Sequence, residues 1–148
     1  MLNLSIFAER LNDLMFDEKI SSPALATKLN CGRATIYRYL QGNKIPSLDM
    51  VIRLADYFKC TTDFLLGLEE ENYPQDFLQC PPFKERLVFL LEHFNITKYR
   101  LQKISNVPES AIYNWQNGVF EPKIDNIIRI AKALDCSVDF VIGRVKEF

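Results

Sequence analysis

Gly32–Pro46 reads GRATIYRYLQGNKIP and Pro108–Pro122 reads PESAIYNWQNGVFEP. Isoleucine, tyrosine, glycine and proline recur at the same four places, 76 residues apart, while nearly everything between them changes. Working outward, Phe7–Gly67 lies over Phe83–Gly143 without a gap, with 20 of 61 positions identical. Glu9/Glu85, Arg10/Arg86, Leu11/Leu87, Leu25/Leu101, Ile36/Ile112, Ala55/Ala131 and Phe64/Phe140 are among the kept pairs. Self-similarity at one fixed offset means that the chain carries one domain twice.

Within each copy the apolar residues repeat with a helical period. Leu48, Val51, Ile52 and Ala55, and again Ile124, Ile127, Ile128 and Ala131, fall at i, i+3, i+4 and i+7. No alternating strand pattern competes, so an all-α fold is expected. Caps and breakers predict five short helices per copy. In the first copy these run through Phe7–Phe16, from Ser22 with Pro23 at its first position, over Arg33–Gln41, from near Ser47, and from near Thr61. Thr97 is expected to cap the second helix of the second copy, with SNVP forming the turn into its third. The reading places one domain at 1–68, an acidic linker at 69–82 and a second domain at 83–148; Tyr73, Phe77 and Leu78 make the linker more apolar than a free tether needs, so part of it is expected to pack.

Composition narrows the function classes. The chain has 148 residues, 48% of them hydrophobic, and a formal net charge of −1. No apolar run approaches the ~18 residues of a membrane span, and Glu9 and Arg10 sit where a signal peptide would be apolar, so a cytoplasmic protein is expected. The net charge by itself argues against nucleic-acid binding, but its distribution changes that. Residues 1–68 carry eight basic and seven acidic side chains, 69–82 carry none and four, and 83–148 carry ten and eight. The acidity is concentrated in the connector EEENYPQDFLQCPP, which leaves two mildly basic halves. Four scattered cysteines without a C-x-x-C pair and a single histidine, His93, suggest neither a zinc set nor a disulfide framework. Cys60 and Cys136 read as core residues, whereas Cys31 and Cys80 leave a redox switch open as an alternative. No phosphate-binding glycine loop and no nucleophile with a histidine partner is present, so an enzyme is not expected, nor is a cofactor or small-molecule ligand.

A second helix, a tight turn and a third helix followed by Gly and Pro make the layout of a helix-turn-helix. Both copies resemble the five-helix, lambda-repressor-like DNA-binding domain of the phage repressor and Cro group, known in bacteria as the Xre family. The resemblance rests on SSPALATKLNCGRATIYRYLQGNKIPSLDMVIRLADYFKCTTDFLLG and ITKYRLQKISNVPESAIYNWQNGVFEPKIDNIIRIAKALDCSVDFVIG. It implies two such domains in tandem, each with its third helix in the major groove and its second crossing the DNA backbone. One feature departs from the family. Its frequent arginine late in the first helix, paired with a glutamate before the glycine, is matched here by Met15 and Leu40, and by Leu91 and Gln116.

Helical spacing separates an inward set, Ile36, Tyr39 and Leu40, from an outward set, Arg33, Ala34, Tyr37, Arg38 and Gln41. In the second copy Ile112, Trp115 and Gln116 are expected to point in, and Glu109, Ser110, Tyr113, Asn114 and Asn117 out. By resemblance, Arg33, Ala34, Tyr37 and Arg38 are the base-reading candidates, and Ser21, Ser22, Lys28, Asn43 and Lys44 the phosphate contacts. A solvated helix face and ordinary helix caps are the bland alternatives. In the second copy Ser110, Tyr113 and Asn114, with Lys98, Arg100, Lys103 and Lys123, are candidate DNA contacts. Against that, Glu109 carries the wrong charge near phosphate, and dimerisation or support of the first copy is the competing role.

The expected function is a sequence-specific, double-stranded-DNA-binding transcription regulator, with repression the commoner habit of the family. A homodimer stays open. The alternative is a protein-interaction module, such as an antitoxin or co-regulator, whose second domain presents an apolar or acidic patch; Tyr113 and Phe120 hint at one. Fully extended at ~3.3 Å per residue, a linker of about 14 residues would reach ~46 Å, beyond the ~34 Å between adjacent major grooves.

Overall fold

The computed structural model describes residues 2–146. Its first five helices are α1 (Leu4–Asp17), α2 (Ser22–Lys28), α3 (Arg33–Leu40), α4 (Leu48–Phe58) and α5 (Thr62–Leu65). The next five repeat the order as α6 (Phe83–His93), α7 (Lys98–Ser105), α8 (Glu109–Gln116), α9 (Ile124–Leu134) and α10 (Val138–Ile142). The described residues contain no strand. The chain divides between Gln75 and Asp76 into two compact units.

Short polar side chains set most of the helix starts. Ser21, Ser47, Thr61, Thr97 and Ser137 each accept a hydrogen bond from the backbone N–H three residues on, satisfying a donor that the helix leaves open. Two boundaries differ from expectation. Asn3 Oδ1 accepts from the Ile6 N–H at 3.2 Å, so α1 begins at Leu4, ahead of Phe7. Because Ser21 is the cap of α2, Pro23 occupies its second position, with Ser22 first.

The backbone repeats as faithfully as the sequence. Lys19/Asn95, Asn30/Asn106, Gly42/Gly118, Lys59/Asp135 and Gly67/Gly143 are all left-handed, at five positions 76 residues apart. Gly67 and Gly143 also require the absence of a side chain. A Cβ at Gly67 would stand 2.4 Å from Ile6 Cγ2, and one at Gly143 2.9 Å from Pro81 Cδ. Their φ angles of +80° and +88° further favour glycine.

In the first unit Leu48, Val51, Leu54, Ala55 and Phe58 line the buried stripe of α4; Ile52 is only half-buried. In the second unit Ile124, Ile127, Ile128, Ala131 and Leu134 do the same for α9. One aromatic contact recurs in changed form. Phe7 meets Tyr39 edge to face at 5.6 Å, and Phe83 meets Trp115 at 5.5 Å, so the first and third helices of each unit lock through an aromatic pair.

The terminal helix of each unit is too short to persist alone. It is held by a kept arginine. The Arg10 guanidinium donates to the carbonyls of Phe64 and Glu69 and lies 4.2 Å from the Phe64 ring centroid. Arg86 donates to the carbonyls of Phe140 and Val141 and lies 4.3 Å from the Phe89 ring. Burial lowers the Arg86 pKa, an effect that the nearby Cys80 and Cys136 partly oppose.

The acidic connector is not a free tether of 14 residues. Its first part belongs to the first unit: Asn72 Oδ1 accepts from the Thr61 N–H at 3.0 Å, and Glu69 bonds Arg10. Its second part belongs to the second unit. Leu78 N–H donates to the Arg144 carbonyl at 2.8 Å, and the Arg144 guanidinium stacks on Phe77 at 3.9 Å. Arg144 is fully buried and pairs with Asp139 at 2.7 Å. Residues 73–76 run between these anchors, which shortens the reach expected of an extended linker.

Removing Asp139 leaves the buried Arg144 charge without its carboxylate, so Asp139→Ala is expected to destabilise by about 3–5 kcal/mol. Arg10→Met, which strips two carbonyls of a charged donor, is expected to cost about 2–3 kcal/mol. Urea unfolding followed by circular dichroism measures both. A loss under about 0.5 kcal/mol in either variant refutes the corresponding role.

Candidate nucleic-acid interface

The first unit builds its candidate face from α2, the turn at Leu29–Gly32, and α3. Asn30 is left-handed, and the Cys31 N–H donates back to the Ala26 carbonyl at 2.9 Å, which closes the turn onto α2. Ile36 and Tyr39 are buried, with 0% and 1% of their surface exposed, and fix which side of α3 faces the core. Burial, with Cys31 adding to it and Arg53 opposing, raises the pKa of the Tyr39 phenol and keeps it neutral. The opposite side leaves Arg33, Ala34, Tyr37, Arg38 and Gln41 exposed. The four base-reading candidates thus share one solvent face, and Leu40 is half-buried.

The five phosphate candidates divide by environment. Lys28, Asn43 and Ser21 are exposed, while Ser22 and Lys44 are half-buried. Ser21 Oγ accepts from the Ala24 N–H at 3.3 Å, so it is a helix cap; its hydroxyl proton remains able to donate to an anion. Asn43 follows the left-handed Gly42, and its N–H donates to the Arg38 carbonyl at 3.0 Å, which places the loop against the last turn of α3. Gly32, the residue just before α3, provides no side-chain cap. In α1, α2, α4 and α5 a polar side chain takes that role.

Charge on this face is one-sided. From Ser21 to Ser47 the chain has Lys28, Arg33, Arg38 and Lys44 and no acidic residue. The corresponding stretch of the second unit, Thr97–Lys123, also has four basic residues, Lys98, Arg100, Lys103 and Lys123, but adds Glu109 and Glu121. None of its basic residues stands where the first unit has one. On α8, Glu109, Ser110, Tyr113 and Asn117 are exposed, Asn114 is half-buried, and Ile112 and Trp115 are buried.

Gln116 corrects the expected inward set. It is exposed, and its Oε1 accepts from Lys98 Nζ at 2.6 Å, tying the start of α7 to the end of α8. An inward amide would lose hydration without a buried partner, whereas the lysine at the surface supplies one. Lys98 is therefore engaged within the protein, and Lys103 sits 5.2 Å from the Tyr99 ring centroid. Cys136, expected in the core beside the position of the buried Cys60, is half-buried. His93 is exposed, and its ring stacks on Phe89 at 5.4 Å.

Sequence reasoning missed Arg53, which positions the site. Its guanidinium donates to the Leu29 carbonyl at the start of the helix-turn-helix turn and lies 3.4 Å from Asp49 Oδ2. The available signal was its retention as Arg129 in the second copy, on a helix whose other kept positions, apart from Asp49/Asp125, are apolar.

Within the described residues no group of His, Cys, Asp or Glu is arranged to hold a metal ion, and no helix is long and apolar enough to cross a membrane. No curated protein and no solved structure matches the chain significantly. A family model described as helix-turn-helix matches it twice, at residues 19–65 and 89–141. Those spans contain α2–α5 and the greater part of α6–α10, including both helix-turn-helix units. The family is one of DNA-binding transcription regulators. With the repeated five-helix units and two matches covering most of its length, the chain belongs to the Xre, lambda-repressor-like helix-turn-helix family.

Proposed function

We propose that the protein is a sequence-specific transcription regulator that reads double-stranded DNA with α3 of its first unit, and that it acts as a repressor. The observation that carries this reading is the acid-free stretch Ser21–Ser47, whose four basic side chains lie on and around one exposed helix face in a protein of net charge −1. Nothing in the packing of the first unit requires that concentration. Laid in a major groove, α3 presents Arg33 and Arg38 to base edges, where a guanidinium can bond guanine O6 and N7 together. Ala34 suits a thymine methyl, and Tyr37 offers both a ring and a hydroxyl. Ser21, Ser22, Lys28, Asn43 and Lys44 flank the helix as phosphate contacts that set register without carrying sequence.

The two kinds of contact give different signatures. Selection of the purified protein on a random DNA pool at fixed salt is expected to enrich one motif. Arg33→Ala or Arg38→Ala should lose about 1–3 kcal/mol on that motif and relax the preference at one base position. Lys28→Ala should weaken binding to all sequences alike and lower the slope of log K against log salt by about 0.9. Failure to enrich any motif, or arginine variants that read the same motif unchanged, would sink the base-reading assignment. A promoter fused downstream of the motif tests the sign: the intact protein should lower its output, and a rise overturns repression.

A further inference from the structure

Two outer helix faces carry opposite charge. On α1 the core takes Phe7, Leu11 and Met15, so helical spacing decides what faces directly away from it: Glu9, Asp13 and Phe16, at i, i+4 and i+7, all exposed. Phe16 is 81% exposed. The one base on this helix, Arg10, is taken up by the carbonyls of Phe64 and Glu69. On α7 the core takes Leu101 and Ser105, which leaves Tyr99, Arg100 and Lys103 on the opposite side, all exposed. Lys103 Nζ lies 5.2 Å from the Tyr99 ring centroid, so base and ring share that side, and the helix has no acid. Neither face is repeated by the internal duplication. At the positions of Asp13 and Phe16 the second unit has Phe89 and Glu92, and at those of Tyr99, Arg100 and Lys103 the first has Pro23, Ala24 and Thr27. Each chain therefore has one acidic-aromatic face and one basic-aromatic face, on different units.

From this we propose that the chain associates head to tail, the α1 face of one copy receiving the α7 face of the next. Two acids and a ring meet two bases and a ring, each set spaced by one helical turn, which is charge complementarity with an aromatic centre. The two carboxylates of α1 repel phosphate, so that face excludes DNA. The bases of α7 could meet phosphate, but Glu109, which opens the next helix, would then approach the same negative backbone. Because the two faces differ, the contact is heterologous and leaves a face unused at each end, so assembly continues past the dimer. α1 packs on the inward side of α3 through Phe7 and Tyr39, so its outer face is turned away from Arg33 and Arg38, and both can be occupied at once. A contact between two short helices buries less than about 1,200 Å² in total and is transient. Taken with the DNA reading of α3, on which this consequence alone rests, neighbouring copies would favour sites repeated in the same direction.

The test is sedimentation equilibrium of the full chain without DNA over rising concentration, at about 0.01 M salt, where charges act over about 30 Å, and at about 0.15 M, where they are screened within about 8 Å. At low salt the mass of wild type should climb past that of a dimer, and at the higher salt it should fall back. Glu9→Gln/Asp13→Asn and Arg100→Gln/Lys103→Gln each remove one face at exposed positions, and each should weaken self-association by about tenfold or more with unchanged circular dichroism. Mixed one to one, these two variants should stop at dimer mass, since one keeps only its basic face and the other only its acidic face. Phe16→Ser should weaken assembly as well, and the α7 variant gives the reading if an α1 variant loses helix. A wild type that stays monomeric or levels off at dimer mass at low salt, a neutralised variant that assembles normally, or a mixture that stays monomeric overturns the proposal. So does an Arg100→Gln/Lys103→Gln chain that assembles normally but loses affinity for the enriched DNA, which would make α7 a phosphate contact. Arg33→Ala/Arg38→Ala separates the two proposals: it should assemble as wild type while losing the motif, and retained motif binding would remove the DNA reading alone.

Discussion

A helix of four or five residues has almost no stability of its own, yet each unit ends in one, and everything above it depends on how that helix is held. Arg10 and Arg86 provide the hold. Each extends from the first helix of its unit to backbone carbonyls of the last, with an aromatic ring against the guanidinium. Charged donors on carbonyls that would otherwise be stranded at a helix end make stronger bonds than neutral ones. The first helix is thereby fixed, and through Phe7 on Tyr39, or Phe83 on Trp115, it sets the rotation of the third. The identity of the outward-facing residues on α3 follows from that rotation.

One scaffold, used twice, supports two different surfaces. Left-handed residues, capping hydroxyls and the arginine clamp recur at matching positions, so the two backbones are close copies. On the exposed faces of α3 and α8 only the tyrosine at Tyr37 and Tyr113 is kept. Basic residues gather on α3 and its flanks in the first unit and move to α7 and the loop before α9 in the second. Because these side chains lie outside the apolar core, even where one such as Lys98 bonds a neighbouring helix, charge can be redistributed with little cost to the fold, and the second surface can take up a different partner.

Arg53 and Lys98 illustrate two ways of supporting a helix-turn-helix. In the first unit Arg53 bonds the Leu29 carbonyl and braces the turn from α4. In the second, Arg129 instead lies near Asn126, and Lys98 bonds Gln116 across the outside of α7 and α8. The family's arginine–glutamate pair is absent from both units: Met15 is buried where the arginine would stand, and Leu40 and Gln116 occupy the glutamate position. Apolar contact or a surface hydrogen bond avoids the desolvation of two charges.

Much of this was legible in the sequence because it is local. Helical period, capping residues such as Ser47 and Thr97, and the offset repeat with its recurring Gly42 and Gly118 depend on neighbours a few residues away. They were sufficient for ten helices in two helix-turn-helix units and for the outward set of α3. What the sequence could not contain was the pairing of groups far apart along the chain: Arg10 with the Phe64 carbonyl, Asn72 with the Thr61 N–H, Lys98 with Gln116, and the division of the acidic connector between the two units. Such contacts follow no period, since a side chain several bonds long finds a partner only after the helices have packed. Tertiary structure therefore decided which arginines clamp, which glutamine faces water, and which apolar side chains were left exposed.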